Sequence, residues 1–245
     1  SDFPETPSLK SEKGFTVSQS VLKKMMSKVM YAMGVNDQRH ILNGAFFRVE
    51  ADKITVVACD GFKMAKCITK ADIVNRSADD TQVRYSYIVP AKTVQELYRM
   101  LPDGEDDRVM MHMSRKYLIC YFEDMTFYTR LIEGEYFNYA RVLPKTHETE
   151  VFVGADILRS ALERALLVTE DKLGGNYRPF IKLEFEGNLL QLSSVSSGGA
   201  FADEIPVAKT GNDIVIGFNC RRLVEALRNI PDTATQLRLG LITPL

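Results

Sequence analysis

The sequence predicts an α+β protein of two similar domains, each made of two β-α-β-β-β units whose helices cover one side of the sheets. Four short apolar strands run directly into amphipathic helices. Strand-like pairs joined by tight turns follow three of those helices, and the pattern returns at intervals of about 65 to 70 residues. The first strand, Phe15-Thr16-Val17-Ser18, leads into a helix from Val21 to Met33, and Tyr87-Ile88-Val89-Pro90 leads into one from Thr93 to Leu101. Val151-Phe152-Val153-Gly154 leads into Ile157 to Val168, and Ile216-Gly217-Phe218-Asn219 into Leu223 to Ile230. With Val17, Val89, Val153 and Phe218 set as equivalent, Leu22, Val94, Leu158 and Leu223 share one helical position. Met26, Tyr98, Leu162 and Leu227 share the position one turn further on, so the four helices bury the same face. Ser18, Asp156 and Asn219 are suited to accept from the orphan amides of a first turn, and Pro90 stands just before the second helix.

Hairpins follow. Phe46 to Val49 and Ile54 to Val57 flank Ala51-Asp52, Val109 to Met113 and Tyr117 to Tyr121 flank Ser114-Arg115, and Ile181 to Phe185 and Leu189 to Ser193 flank Gly187-Asn188. Two units pair into one domain. The boundary is expected in the polar stretch Lys145 to Glu150 after Pro144, giving domains 1–147 and 148–245. The fourth unit has one strand after its helix, Leu237 to Leu241, and is incomplete by this pattern.

Composition narrows the function. Hydrophobic residues make up 45% and charged residues 26%, and no apolar run approaches the roughly 20 residues of a membrane span. No cationic-then-apolar leader opens the sequence, so the cytoplasm is the expected compartment and no membrane partner is expected. Cys59, Cys67, Cys120 and Cys220 form no CxxC pair and read as reduced core thiols, and His40, His112 and His147 lack metal-ligand spacing. Neither a GxSxG elbow nor a phosphate-binding GxxxxGK[ST] loop is present. Gly174-Gly175 and Gly198-Gly199 read as turns. No catalytic residue, metal or cofactor is therefore expected. Asp60, as an isolated catalytic acid, is the weakest of the readings.

The net charge of −1 gives no global attraction to nucleic acid, so cations must be segregated. The helices segregate them. The first carries Lys23, Lys24 and Lys28 with no acid between Ser18 and Met33; the second carries Lys92 and Arg99. The third carries Arg159 and Arg164 offset by Asp156 and Glu163, and the fourth Arg221, Arg222 and Arg228 against Glu225. One such face is ordinarily just solvated. Recurrence at equivalent helices favours a shared, sequence-independent attraction to phosphates.

Several motifs then occur in a telling order: Leu42-Asn43-Gly44, Val57-Ala58-Cys59-Asp60-Gly61-Phe62-Lys63-Met64-Ala65, Ile88-Val89-Pro90-Ala91-Lys92, Arg130-Leu131-Ile132-Glu133-Gly134, Tyr139-Ala140-Arg141-Val142-Leu143-Pro144 and Gly217-Phe218-Asn219. Through them the chain resembles the bacterial sliding clamps, the beta subunits of DNA polymerase III, over nearly its whole length. The resemblance implies the DNA-clamp fold with helices on a concave face and sheets outside. It also implies a homodimeric ring around duplex DNA that serves as a processivity factor. The chain would then correspond to the second domain and most of the third, and on its own it is not expected to close the ring. The resemblance adds Asn36, Arg39, His40 and Lys92 as DNA neighbours.

It also implies a pocket for short motifs of the replicative polymerase, the clamp loader and repair proteins, at Leu42, Cys59, Gly61, Phe62, Lys63, Met64, Phe137, Arg141 and Val142. Leu42, Met64 and Val142 would form an apolar trough and Lys63 and Arg141 a cationic rim, suited to Leu or Phe anchors beside Gln or Asp. Leu42 and Val142 read equally well as core, and Asp60-Gly61 as a plain turn. Phe62, Lys63, Phe137 and Met64 depart from the His, Arg, Pro and Leu common in the family.

Overall fold

The structure is a computed structural model that describes residues 13–77, 82–104, 107–122, 124–169, 180–196 and 199–243. Two compact units divide the chain, Ser1–Phe137 and Asn138–Leu245. The first contains β1 (Gly14–Ser18), α1 (Gln19–Ser27), β2 (Gly44–Glu50), β3 (Lys53–Cys59), β4 (Met64–Lys70), β5 (Val74–Asn75) and β6 (Arg84–Pro90). It continues through α2 (Ala91–Met100), β7 (Arg108–Met113), β8 (Tyr117–Tyr121) and β9 (Thr126–Arg130), with 3-10 turns at Met30–Ala32 and His40–Leu42. The second contains α3 (Tyr139–Val142), β10 (Thr149–Gly154), α4 (Ala155–Thr169), β11 (Phe180–Glu186), β12 (Leu189–Ser196) and β13 (Gly199–Pro206). It ends with β14 (Ala208–Gly211), β15 (Ile214–Asn219), α5 (Cys220–Arg228) and β16 (Gln236–Leu241).

All four expected strand-to-helix starts are present, and the repeats interlock. The opening strand of each repeat leaves its own hairpin and joins the sheet of the other repeat. In the first unit this gives sheets β5-β1-β7-β8-β9 and β4-β3-β2-β6, and in the second β14-β10-β16 and β13-β12-β11-β15. Register follows the side-chain alternation, with Phe15 opposite Met111 and Phe47 opposite Tyr87. The alternate residues Ala45, Phe47 and Val49 thus turn inward with Ile54, Val56 and Ala58, joining Leu22, Met25 and Met26 of α1 and Val94 and Leu97 of α2 in one core. Each of the larger of these side chains, Val, Leu, Ile, Phe or Met, contributes roughly 1.5 to 3 kcal/mol when fully buried. The second unit builds its own core from Leu158, Leu162, Ile181, Leu183, Phe185, Leu190 and Leu192 under Val224 and Leu227.

Local differences from the sequence reading have physical causes. The first helix stops at Ser27 and resumes as a 3-10 turn, because Ser27 Oγ donates to Lys24 O and the β-branched Val29 takes φ −121°. Ser18 and Asn219 cap α1 and α5, accepting from Val21 N and Arg222 N. Asp156 does not cap; it lies inside the first turn of α4 and binds Arg159 three residues on. The division at Phe137 precedes α3, whereas the expected boundary at 147/148 follows it. The polar run Lys145 to Glu148 between α3 and β10 is exposed. Gly174-Gly175 and Gly198 lie outside the described residues.

Candidate functional site

Loop and turn geometry in the first unit comes from a few side-chain clamps. Asn43 holds the loop before it by accepting from Asp37 N at 2.8 Å and donating Nδ2 to Asp37 O at 2.8 Å. Gly44 follows because a Cβ there would stand 2.2 Å from Val89 O, so only glycine lets β2 approach β6. Asp37 in turn grips Arg39, accepting from its N, Nε and Nη2 at 2.8, 3.0 and 2.9 Å. Those hydrogen bonds hold the Asp37 carboxyl down at about 2.

The guanidinium so placed lies against Gly61. A Cβ on Gly61, at φ +86°, would meet Arg39 Nη2 at 2.4 Å. Gly61 belongs to a turn built by Asp60, whose carboxylate accepts from Phe62 N and Lys63 N at 2.9 Å and from Lys63 Nζ at 2.7 Å. Burial works to raise the Asp60 pKa, and these hydrogen bonds outweigh it and lower it. The Asp60 carboxylate is thus engaged in building its own turn. His40 Nε2 lies 3.1 Å from Glu133 O, which ties the same loop to the Glu133-Gly134 turn.

The pocket residues of the first unit are thereby positioned. Leu42 is buried in its 3-10 turn yet stands outside the main core. Cys59 pairs with Met64 across the β3–β4 ladder, and Cys59 Sγ accepts from Gly61 N at 3.3 Å. Both side chains are half-buried, so Cys59 is not the buried core thiol expected; Cys67, Cys120 and Cys220 are buried. Phe62 projects with 75% of its surface exposed. Phe137 packs on Tyr136 at 4.8 Å, and Tyr136 stacks on Phe46 at 5.0 Å. The Tyr136 hydroxyl is buried with no partner among the described residues, and burial, with Cys59 adding to it, raises its pKa. In the second unit Arg141 and Val142 stand on α3, both exposed.

The helix cations divide into tied and untied groups. Lys23 bonds Asp103 at 3.0 Å and lies over the Tyr98 ring, Arg99 bonds Glu96, and Lys24, Lys28 and Lys92 are exposed with no ion-pair partner among the described residues. Asn36 is exposed at φ 53°. In the second unit Arg159 is shared by Asp156 and Asp232, and Arg164 bonds Asp203 at 2.5 Å. Arg164 and Arg221 line a groove of about 660 Å³ between α4 and α5, where Arg228 bonds Glu163; Arg222 is half-buried beside them. The sequence missed Asp37, Asn43 and Tyr136. The alternation of an acid and a base two residues apart in Asp37-Gln38-Arg39 was the available signal for the first.

Interlocked β-α-β-β-β repeats with helices packed on the inner sheet faces define a protein of the DNA-clamp fold. The family described as DNA polymerase III beta subunit, central domain, matches residues 16–138, and the C-terminal domain of the same subunit matches residues 140–245. The chain belongs to the DNA polymerase III beta subunit family. It is 30% identical to the beta sliding clamp of Escherichia coli K12 over 227 residues, 92% of this chain and 58% of that protein. To the beta sliding clamp of Proteus mirabilis it is 30% identical over 240 residues, 98% of this chain and 62% of that one. Among solved structures, a Pseudomonas aeruginosa sliding clamp bound to griselimycin is similar at TM-score 0.86 and 28% identity, over 99% of this chain and 62% of that one. A putative beta subunit from Eubacterium rectale is similar at TM-score 0.87 and 26% identity, over 99% and 63%. The chain thus spans about three-fifths of the length of these relatives.

Proposed function

We propose that this chain supplies two domains of a processivity factor that, as a whole protein, encircles duplex DNA as a homodimeric ring and tethers the replicative polymerase, the clamp loader and repair proteins through a peptide pocket. The agreement of both units, in sequence and in fold, with the beta subunits of DNA polymerase III carries the reading. In this reading the chain is a non-catalytic accessory of the polymerase. In this reading duplex DNA is attracted without sequence preference by the helix cations Lys23, Lys24, Lys28, Lys92, Arg99, Arg159, Arg164, Arg221 and Arg222, with Asn36, Arg39 and His40 as further DNA neighbours. Sliding requires contacts of this weak, non-directional kind. Retention on circular against linear DNA tests encirclement. A ring stays on a loaded circle and is lost when the circle is cut, whereas an open repeat-built binder or scaffold stays equally on both.

The partner pocket is centred in the first unit on Leu42, Cys59, Gly61 and Met64, with Phe62, Lys63 and Phe137 around it. Lys63 is drawn back onto Asp60 and Arg39 is laid over Gly61, so the first unit offers an apolar floor with a cationic margin. A short peptide with Leu and Phe anchors tests it by calorimetry. Met64→Ala is expected to weaken binding about tenfold and Lys63→Ala less. Loss of binding in Lys63→Ala with none in Met64→Ala would overturn the apolar-floor account.

A further inference from the structure

All four cysteines of the chain lie among the described residues, and Cys59 alone is not buried. Burial pushes the Cys120 thiol up to about 12, and Cys220 Sγ donates to Leu162 O at 3.4 Å inside the second core. Thiol chemistry runs through the thiolate and needs access, so the buried cysteines are shielded from it. Cys59 ends β3, half-buried, and its sulfur is held in place: Gly61 N donates to Sγ at 3.3 Å. The Arg39 guanidinium lies over that same glycine, and Asp37 above all, then Cys59 and Asp60, favour its charged form. A charge on the sulfur therefore faces a cation, while the neighbouring carboxylates Asp37 and Asp60 are engaged by Arg39 and Lys63.

A second, independent feature lies beside the sulfur. Tyr136 exposes 7% of its surface, and its hydroxyl is buried with no hydrogen-bond partner among the described residues. Burial raises the pKa of this hydroxyl and charge on Cys59 raises it further, so the two groups stand within reach of one another's field. Phe46, stacked on the Tyr136 ring, and Phe137, tilted against it, fix the ring there. Buried hydroxyls are normally hydrogen-bonded, so this one is a donor suited to a polar group delivered on Cys59.

We propose that Cys59 is a thiol–disulfide exchange site for low-molecular-weight disulfides, and that the adduct it carries, beside Met64 and the Tyr136 hydroxyl, shuts out the partner peptide until a thiol removes it. Met64 is the cross-strand partner of Cys59, so an adduct there occupies the centre of the pocket. The exclusion of the peptide rests on the peptide-pocket reading, whereas the exchange stands without it. In the exchange Cys59 loses its proton to solvent and its sulfur attacks one sulfur of the disulfide. A new S–S bond forms to Cys59, the old one breaks, and the departing sulfur leaves as a thiolate that takes up a proton. Cys59 is oxidised and half of the reagent is reduced, so no further oxidant enters.

Oxidised glutathione added to the folded chain, followed by intact mass and peptide mapping, tests the exchange. A single adduct is expected, on Cys59, forming about tenfold faster than on any other cysteine, and dithiothreitol should remove it. It should be absent in Cys59→Ser. In a glutathione redox series Tyr136→Phe should shift the exchange equilibrium about threefold toward the free thiol, the loss of one hydrogen bond, with thermal melts confirming that both variants fold. Anisotropy with the Leu- and Phe-anchored peptide reads the consequence: the modified chain should bind about tenfold more weakly and recover on reduction. Glutathione treatment should leave the affinity of Cys59→Ser, whatever its own value, where it was. Should the untreated chain fail to bind the peptide while Cys59 takes the adduct, the pocket reading falls and the exchange site stands. The proposal is overturned if Cys59 takes no adduct, or if the buried cysteines of the folded chain react as fast. An unchanged equilibrium in Tyr136→Phe overturns the part given to the hydroxyl, and equal peptide binding before and after modification overturns the exclusion.

Discussion

The β4-β3-β2-β6 sheet and the β13-β12-β11-β15 sheet are the same object on one side and different objects on the other. Inward, Ala45, Phe47 and Val49 match Ile181, Leu183 and Phe185, and Ile54 and Val56 match Leu190 and Leu192, all buried. Outward, the first sheet is cationic, while the second pairs Lys182 with Glu184 and exposes Phe180, Val195 and Val215. The repeat is specified by what its helices cover. The uncovered side is free of that constraint, so the two sheets differ there without differing in topology.

Substitutions can break or sharpen that contrast. Phe185→Ala on the inner face should cost about 3 to 5 kcal/mol in urea denaturation, and a loss below 1 kcal/mol would mean that the inner face is not what holds the unit. Gly44→Ala should cost about 2 kcal/mol, since its Cβ would collide with backbone at Val89 rather than with a side chain that can turn away. The matching hairpin turns come next. Gly187 at φ 52° has open space where a Cβ would go, so Gly187→Ala should cost about 1 kcal/mol of backbone strain alone. Ala51 already bears that strain at φ 50°, so Ala51→Gly should leave stability level or raise it by up to about 1 kcal/mol. On the outer face, Ile68→Glu, which installs the residue of the second sheet, should stay within about 0.5 kcal/mol in a thermal melt. Smallest is the Asp37–Arg39 clamp. With the folded Asp37 pKa near 2, below its ordinary 3.8, the contribution of the clamp is present above the ordinary value and is lost as pH falls from about 4 to about 2. The Asp37 carboxyl titration followed by NMR should move up in Arg39→Ala.

Periodicity made the inner faces legible. Leu22, Val94, Leu158 and Leu223 at one helical position, and the alternation through Ile54 and Val56, give the fold class and the hairpins. Exchange of the opening strands was not legible, because Val17 and Val89 are buried and apolar whichever sheet receives them, and only register distinguishes the two. The site divided along the same line. Asp60-Gly61 reads from sequence as a turn or as part of a pocket, and the turn is present: Asp60 builds it, and its Gly61 receives Arg39. Arg39 and His40 entered as DNA neighbours, and the structure ties them to the Gly61 and Glu133 turns, contacts between chain segments far apart that no local pattern encodes. Lys23 counted as a free helix cation until Asp103 and Tyr98, from the loop after α2 and from α2 itself, were seen to hold it.

The exchanged opening strands bear on how the protein emerges from the ribosome. Gln19, at the start of α1, donates its side chain to Arg108 O, 89 residues later, and β1 finds its principal partner in β7, Ser18 opposite Arg108 and Gly14 opposite His112. During vectorial synthesis a completed first repeat must therefore wait with β1 unmatched and with β2 lacking β6. Closing so long a loop before the contacts reward it slows folding. A single repeat on its own therefore leaves β1 and β2 without the partners they have in the pair.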